Sequence, residues 1–142
     1  MNLKILTPEK ITFEGEIDEL IVPTVAGEIA VLPHHVDLMT QVTSGEITIK
    51  VKGKEDHIAV TGGFLQINRD ALTLLADYAV HSDQINAQKA LEAQKRAEEI
   101  LKKKSENTTE RDLALAQAEM RRAILELKVA RRRRGGQNLP QS

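Results

Sequence analysis

The sequence predicts a mainly β plus α protein, in which an N-terminal antiparallel β-sandwich of about eight to ten short strands precedes a C-terminal antiparallel two-helix hairpin. Three observations carry this. Six of the eight glycines and three of the four prolines fall before residue 84, and neither residue occurs from Gln84 to Arg134. Short apolar runs separated by turn residues recur through the first part, with no helix-length crossover between them. Charge changes sign at the same place: residues 1–83 hold 6 Lys/Arg against 13 Asp/Glu, and residues 84–142 hold 14 against 8. The near-neutral whole, −1 over 142 residues, conceals an acidic β part and a basic helical one. We expect a β domain over 1–83, a hairpin over 84–134 and a disordered tail over 135–142.

The apolar runs lie at Leu3-Ile5, Ile11-Phe13, Ile17 to Val22, Ile29 to Leu32, Leu38 to Val42, Ile47 to Val51, Ile58-Val60, Phe64 to Ile67 and Leu72 to Ala76. Alternation is cleanest at Ile47-Thr48-Ile49-Lys50-Val51-Lys52, and Gly53 opens a reversal toward Ile58; this is a hairpin with one wet face. Residues 20–22 and 74–76 read as strands buried on both faces. Thr61-Gly62-Gly63 resembles part of a phosphate loop, but no Gly-Lys-Ser/Thr follows, so a glycine bulge or tight turn is expected. Glu14, Glu16, Asp18 and Glu19 form no acid/base pair and read as a solvated strand edge that discourages edge pairing.

Asp83 can cap a first helix running from about Gln84 to Lys104. Thr109 caps the second, with Asp112 completing a shortened capping box and Glu110 adding favourable charge near the helix N-terminus. Leu113, Ala116, Met120, Ala123, Leu127 and Ala130 follow the 3-4 spacing of a coiled-coil seam, matched by Ala87, Ala90, Gln94, Ala97 and Leu101 on the first helix. An antiparallel hairpin closed near residues 105–108 follows, and it is weak, because alanines bury little area at about 25 cal/mol per Å². Gly135-Gly136 is expected to stop the second helix after Arg131 to Arg134.

The chain has no cysteine, which removes disulfides, thiolate metal sites and Cys nucleophiles. No run approaches the ~18 apolar residues of a membrane helix, so contact with a membrane is expected only through a partner. His34-His35, read as adjacent strand residues facing opposite ways, does not assemble a metal site with His57 or His81 and suits a surface contact. The arginine run could meet nucleic acid or an acidic protein. Phe13, Phe64 and Tyr78 are the only aromatics, so no stacking platform accompanies it and nucleic acid is not expected as a partner.

The strings Gly27-Glu28-Ile29-Ala30-Val31-Leu32-Pro33-His34-His35, Thr61-Gly62-Gly63-Phe64-Leu65 and Leu75-Ala76-Asp77, followed by an Ala/Lys/Glu-rich hairpin, together resemble the epsilon subunit family of F-type ATP synthase. The resemblance spans residues 2–134. It implies a non-catalytic central-stalk subunit, bound to the gamma subunit and the membrane c-ring, that couples proton or sodium flow to ATP synthesis. It also implies a peripheral place on the cytoplasmic face of a bacterial plasma membrane, with an organelle's inner or thylakoid membrane as the lesser alternative.

The family's rotor contact falls on Glu28 and His35. Its inhibitory contact with the alpha and beta subunits, made when the hairpin extends, falls on Arg121, Arg122, Lys128, Arg131, Arg132, Arg133 and Arg134; a helix of about 26 residues reaches about 39 Å. Some members bind ATP through Ile/Leu-Asp-x-x-Arg-Ala. Here the stretch is Ile85-Asn86-Ala87-Gln88-Lys89-Ala90, which loses the carboxylate at Asn86 and the planar guanidinium at Lys89. Arg96 and Arg122 remain at matching positions for weak nucleotide contact, and no cofactor is expected. The alternative reading is an intracellular adaptor that binds nucleic acid or an acidic protein through its basic helix.

Overall fold

The computed structural model describes residues 1–103 and 106–138, residues 133–138 by backbone alone. It divides into two compact units, one of Met1–Gln84 and one beginning at Ile85. The first contains β1 (Asn2–Leu6), β2 (Ile11–Glu16), β3 (Glu19–Thr24), β4 (Gly27–Val31), β5 (Leu38–Val42), β6 (Gly45–Val51), β7 (Lys54–Val60), β8 (Gly63–Asn68), β9 (Ala71–Ala76) and β10 (Ala79–His81). The second contains α1 (Ala87–Lys102) and α2 (Glu110–Asn138).

The strands form a continuous sheet ordered β10-β7-β6-β3-β5-β8-β9-β1-β2, with β4 paired to β3. It folds over on itself because β3 changes neighbours. Glu19 to Ile21 pair with β6, whereas Thr24 pairs with Val42 of β5, so β3 passes from one layer to the other. Between the layers lies one apolar cluster that includes Leu3, Ile5, Leu20, Val22, Ile47, Ile49, Ile58, Leu65, Ile67, Leu72 and Leu74. Each such side chain contributes about 1.5–3 kcal/mol when fully removed from water.

Local turn chemistry sets the registers. Val51 pairs with Lys54, leaving Lys52-Gly53 as a two-residue turn with φ of 51° and 78°, the double left-handed geometry whose twist suits a hairpin. Asp18 reinforces it by accepting the Lys52 amide at 2.7 Å. Thr24, buried at the end of β3, donates its hydroxyl to the Gly27 carbonyl at 2.6 Å and fixes the turn into β4. The expected glycine turn is present between β7 and β8. A Cβ at Gly63 would lie 1.9 Å from the Leu75 carbonyl oxygen, so only glycine lets β8 approach β9 there.

Several expectations are corrected. The sheet is not wholly antiparallel, since β1 pairs in parallel with β9; no short connection constrains their relative direction. Neither 20–22 nor 74–76 is buried on both faces: β3 and β9 alternate, and Leu75 is 53% exposed. Glu14 and Glu16 lie on the edge strand β2, but Glu19 is inside the sheet on β3 and its carboxylate is 3.3 Å from Lys50 Nζ. Histidines 34 and 35 lie beyond β4 in a loop rather than on a strand.

Asp83 belongs to a short 3-10 turn, Ser82–Gln84, at the end of the β unit, and in the helical unit Asn86 is the cap of α1, its Oδ1 accepting the Lys89 amide at 3.1 Å. The Thr109 capping box forms as expected. The Asp112 amide donates to Thr109 Oγ1 at 3.1 Å and the Thr109 amide to Asp112 Oδ2 at 3.3 Å. Ala90, Ala97, Ala116 and Ala123 of the seam are buried, with Leu113, Met120 and Leu127 half-buried beside them. The helix does not stop at Gly135-Gly136 but runs to Asn138. A glycine costs a helix only about 1 kcal/mol, too little by itself to end one. The remainder of the expected tail, residues 139–142, lies outside the described residues, as do residues 104 and 105 of the expected connection.

Candidate functional site

Three surfaces carry the side chains of interest, two on the β unit and one on the hairpin. The first was not anticipated from sequence. Gln41, Phe64, Leu75, Leu6 and Ile11 stand in register on five neighbouring strands, β5, β8, β9, β1 and β2. Phe64 is 56% exposed and Ile11 53%, so the row presents a band of apolar groups to solvent. At about 4.8 Å per strand, Phe64 and Ile11 stand about 14 Å apart. Thr7, Pro8, Ala76 and Asp77 join Phe64 and Leu75 around an open cleft of about 470 Å³. A contiguous apolar band on an otherwise charged domain is the signature of a protein interface. The signal was present in the alternation of Phe64-Leu65 and Leu74-Leu75, where both faces of the strand are apolar.

The second surface is the loop after β4. Leu32 is exposed, Val36 is 76% exposed, and His35 lies half-buried between them in sequence. Its ring nitrogen Nδ1 is 2.8 Å from Val36 O. Because a carbonyl only accepts, Nδ1 carries the hydrogen in this contact, and the neutral ring keeps a lone pair on Nε2 for an outside donor. Glu28 does not share that loop. It sits exposed on β4 opposite Pro23, near the strand's other end, and about 10 Å of strand separates it from the loop's beginning.

The third surface is the helical pair. Arg121, Arg122, Lys128, Arg131 and Arg132 are all exposed on α2, with Ile124 exposed among them. The side chains of Arg133 and Arg134 lie outside the described residues. Arg96 crosses from α1 to α2, with Nη2 3.3 Å from Glu119 Oε1. Arg96, expected with Arg122 to offer weak nucleotide contact, thus links α1 to α2, and Asn86, where the nucleotide motif loses its carboxylate, caps α1. Among the described residues, no three His, Asp or Glu side chains are grouped to hold a metal.

Residues 1–82 match the family model of the ATP synthase delta/epsilon chain β-sandwich domain, and residues 83–131 match its long α-helix domain. The chain belongs to the ATP synthase delta/epsilon family. It is 39% identical over 134 residues to an ATP synthase epsilon chain of Dehalococcoides mccartyi, covering 94% of each chain. It is 37% identical over 131 residues to the epsilon chain of Moorella thermoacetica, covering 92% of this chain and 96% of that one. The fold also resembles a chain in the Euglena gracilis mitochondrial ATP synthase structure, with a TM-score of 0.64, 23% identity and coverage of 90% and 78%. Membership of the epsilon-chain family through both units favours a stalk subunit over an adaptor that uses its basic helix alone.

Proposed function

We propose that this chain is a non-catalytic rotor subunit of an ATP synthase, joining the gamma subunit to the membrane c-ring and coupling ion flow through the ring to ATP synthesis. The observation that carries the proposal is the apolar row Phe64-Leu75-Leu6-Ile11 on a domain of the epsilon-chain family. Its side chains are solvent-exposed and in register, the arrangement a stalk partner can cover. The ring contact is assigned to Glu28 and His35, and an inhibitory contact with the alpha and beta subunits to Arg121, Arg122, Lys128 and Arg131 to Arg134. Among the described residues, no helix is long and apolar enough to cross a membrane. Peripheral attachment through the ring, at the cytoplasmic face of a bacterial plasma membrane, fits the two bacterial relatives.

Copurification tests the reading. The tagged full-length chain is expected to retain gamma and ring subunits, and Phe64→Glu with Leu75→Glu is expected to weaken retention of gamma by at least about tenfold, since central apolar interface residues commonly carry 1–2 kcal/mol or more each. Undiminished gamma retention, with the variant folded, would remove this face from the stalk contact. Glu28→Ala with His35→Ala is expected to weaken ring attachment while changing domain stability by less than about 0.5 kcal/mol, because both groups lie at the surface. Titration against the isolated ring and a melting curve measure the two effects separately.

A further inference from the structure

The loop that carries His35 is not held by its own residues alone. Two carboxylates and two left-handed residues tie it to the β8–β9 turn, whose chain positions are more than thirty residues away. In the first loop His34 has φ 67°, and its amide donates to Asp70 Oδ1 at 3.3 Å. In the second, Arg69 has φ 57°, and its amide donates to Asp37 Oδ1 at 2.8 Å. The arrangement is reciprocal: each turn supplies one left-handed N–H and one aspartate, and each aspartate receives the other turn's N–H. The Asp70 carbonyl also accepts the Asn2 amide at 2.8 Å, which anchors the pair to the start of β1, and His35 N–H returns to Leu32 O at 3.2 Å.

We infer that Asp37 and Asp70 are positioning residues for the ring contact: they fix the loop Leu32 to Val36 so that His35 Nε2 and the exposed Leu32 and Val36 meet the partner without ordering on binding. The inference rests on the assignment of His35 to that contact. Its physical content is preorganisation. His34, a non-glycine residue in the left-handed region, otherwise favours other backbone conformations, and ordering it at the interface would subtract from affinity. Both carboxylates are solvent-exposed, so their removal leaves the buried core intact.

The deciding experiment titrates the full-length chain against the detergent-solubilised c-ring with its gamma subunit, for Asp37→Ala, Asp70→Ala, Asp37→Asn, Asp70→Asn and the Glu28→Ala/His35→Ala pair. Each alanine variant is expected to bind about three- to tenfold more weakly, within the range of one ordinary hydrogen bond. Its melting temperature should stay within a few degrees of the parent. Each asparagine variant keeps the Oδ1 acceptor and is expected to recover most of the affinity. Amide exchange is expected to accelerate at Arg69 in Asp37→Ala and at His34 in Asp70→Ala, an effect that a general loss of stability would not confine to single positions. If the Glu28/His35 variant binds weakly while both aspartate-to-alanine variants bind like the parent, the positioning role is overturned and the ring contact stands. If all the variants bind like the parent, the ring contact itself is overturned.

Discussion

Gly63→Ala is expected to destabilise the β unit by about 3 kcal/mol or more, the cost of forcing a side chain into packed backbone. The new Cβ would lie 1.9 Å from Leu75 O and 2.9 Å from the Ala76 Cα, and neither atom belongs to a flexible side chain that can swing away. Relief would require β8 and β9 to separate at the Gly63–Ala76 pair, and on its other side Gly63 is paired with Val42 of β5. For a domain of this size the loss lowers the melting midpoint by at least about 12 °C. Gly53→Ala is the control. Its φ of 78° carries a backbone penalty of about 1–2 kcal/mol, but nothing lies within 4 Å of its added Cβ. A Gly63→Ala variant that melts no lower than Gly53→Ala would show that the sheet yields at this point and that the close approach is not needed.

Ending the chain after Gln84 is expected to raise ATP hydrolysis by the assembled enzyme on the order of tenfold, the change produced when a state favoured by about 1.4 kcal/mol is abolished. Ala90, Ala97, Ala116 and Ala123 are buried along the hairpin's seam, and the Arg96–Glu119 ion pair between the helices is exposed at 63% and 40%, where such pairs contribute about 0–1 kcal/mol. With small alanines along the seam, a modest preference of the catalytic head for an extended hairpin is expected to populate that form. Replacing Arg121, Lys128, Arg131 and Arg132 by Glu is expected to release hydrolysis to the same extent while leaving both helices in place, as circular dichroism would report. Rates are compared at low ion-motive force with subunit content confirmed by gel. Equal hydrolysis by the truncated and parent enzymes would end the inhibitory assignment, and raised salt should mimic the charge reversal if the contact is electrostatic.

What could be read from the sequence was mostly local. The Thr109–Asp112 box and the Lys52-Gly53 reversal each depend on residues within four positions, and both form as expected. The cap at Asn86 was missed in favour of Asp83 because both residue types suit the position, and the choice depends on where the 3-10 turn Ser82–Gln84 ends. Long-range features were not legible. Phe64 and Leu75 alternate with Leu65 and Leu74, so the pattern records two apolar faces without saying which is covered, and only the folded sheet leaves one open. Asp37 and Arg69 are 32 positions apart, and nothing in either loop announces the other. Glu28 and His35, only seven positions apart, turned out to flank most of a strand.

The parallel pairing of β1 with β9 has a consequence for synthesis of the chain. β2 follows residues 2–6 from the ribosome and can pair with them at once, but a two-stranded ribbon is marginal by itself. Their second neighbours, residues 71–75, arrive after some 65 further peptide bonds, which at about 5–20 residues per second takes roughly three to thirteen seconds. Throughout that interval Leu3 and Ile5 have no lasting cover. The domain's first strand is thus locked in by nearly its last, so a nascent chain halted before residue 71 displays an unfinished apolar edge open to chaperones, whereas the capped hairpin that follows needs only its own neighbouring residues to coil.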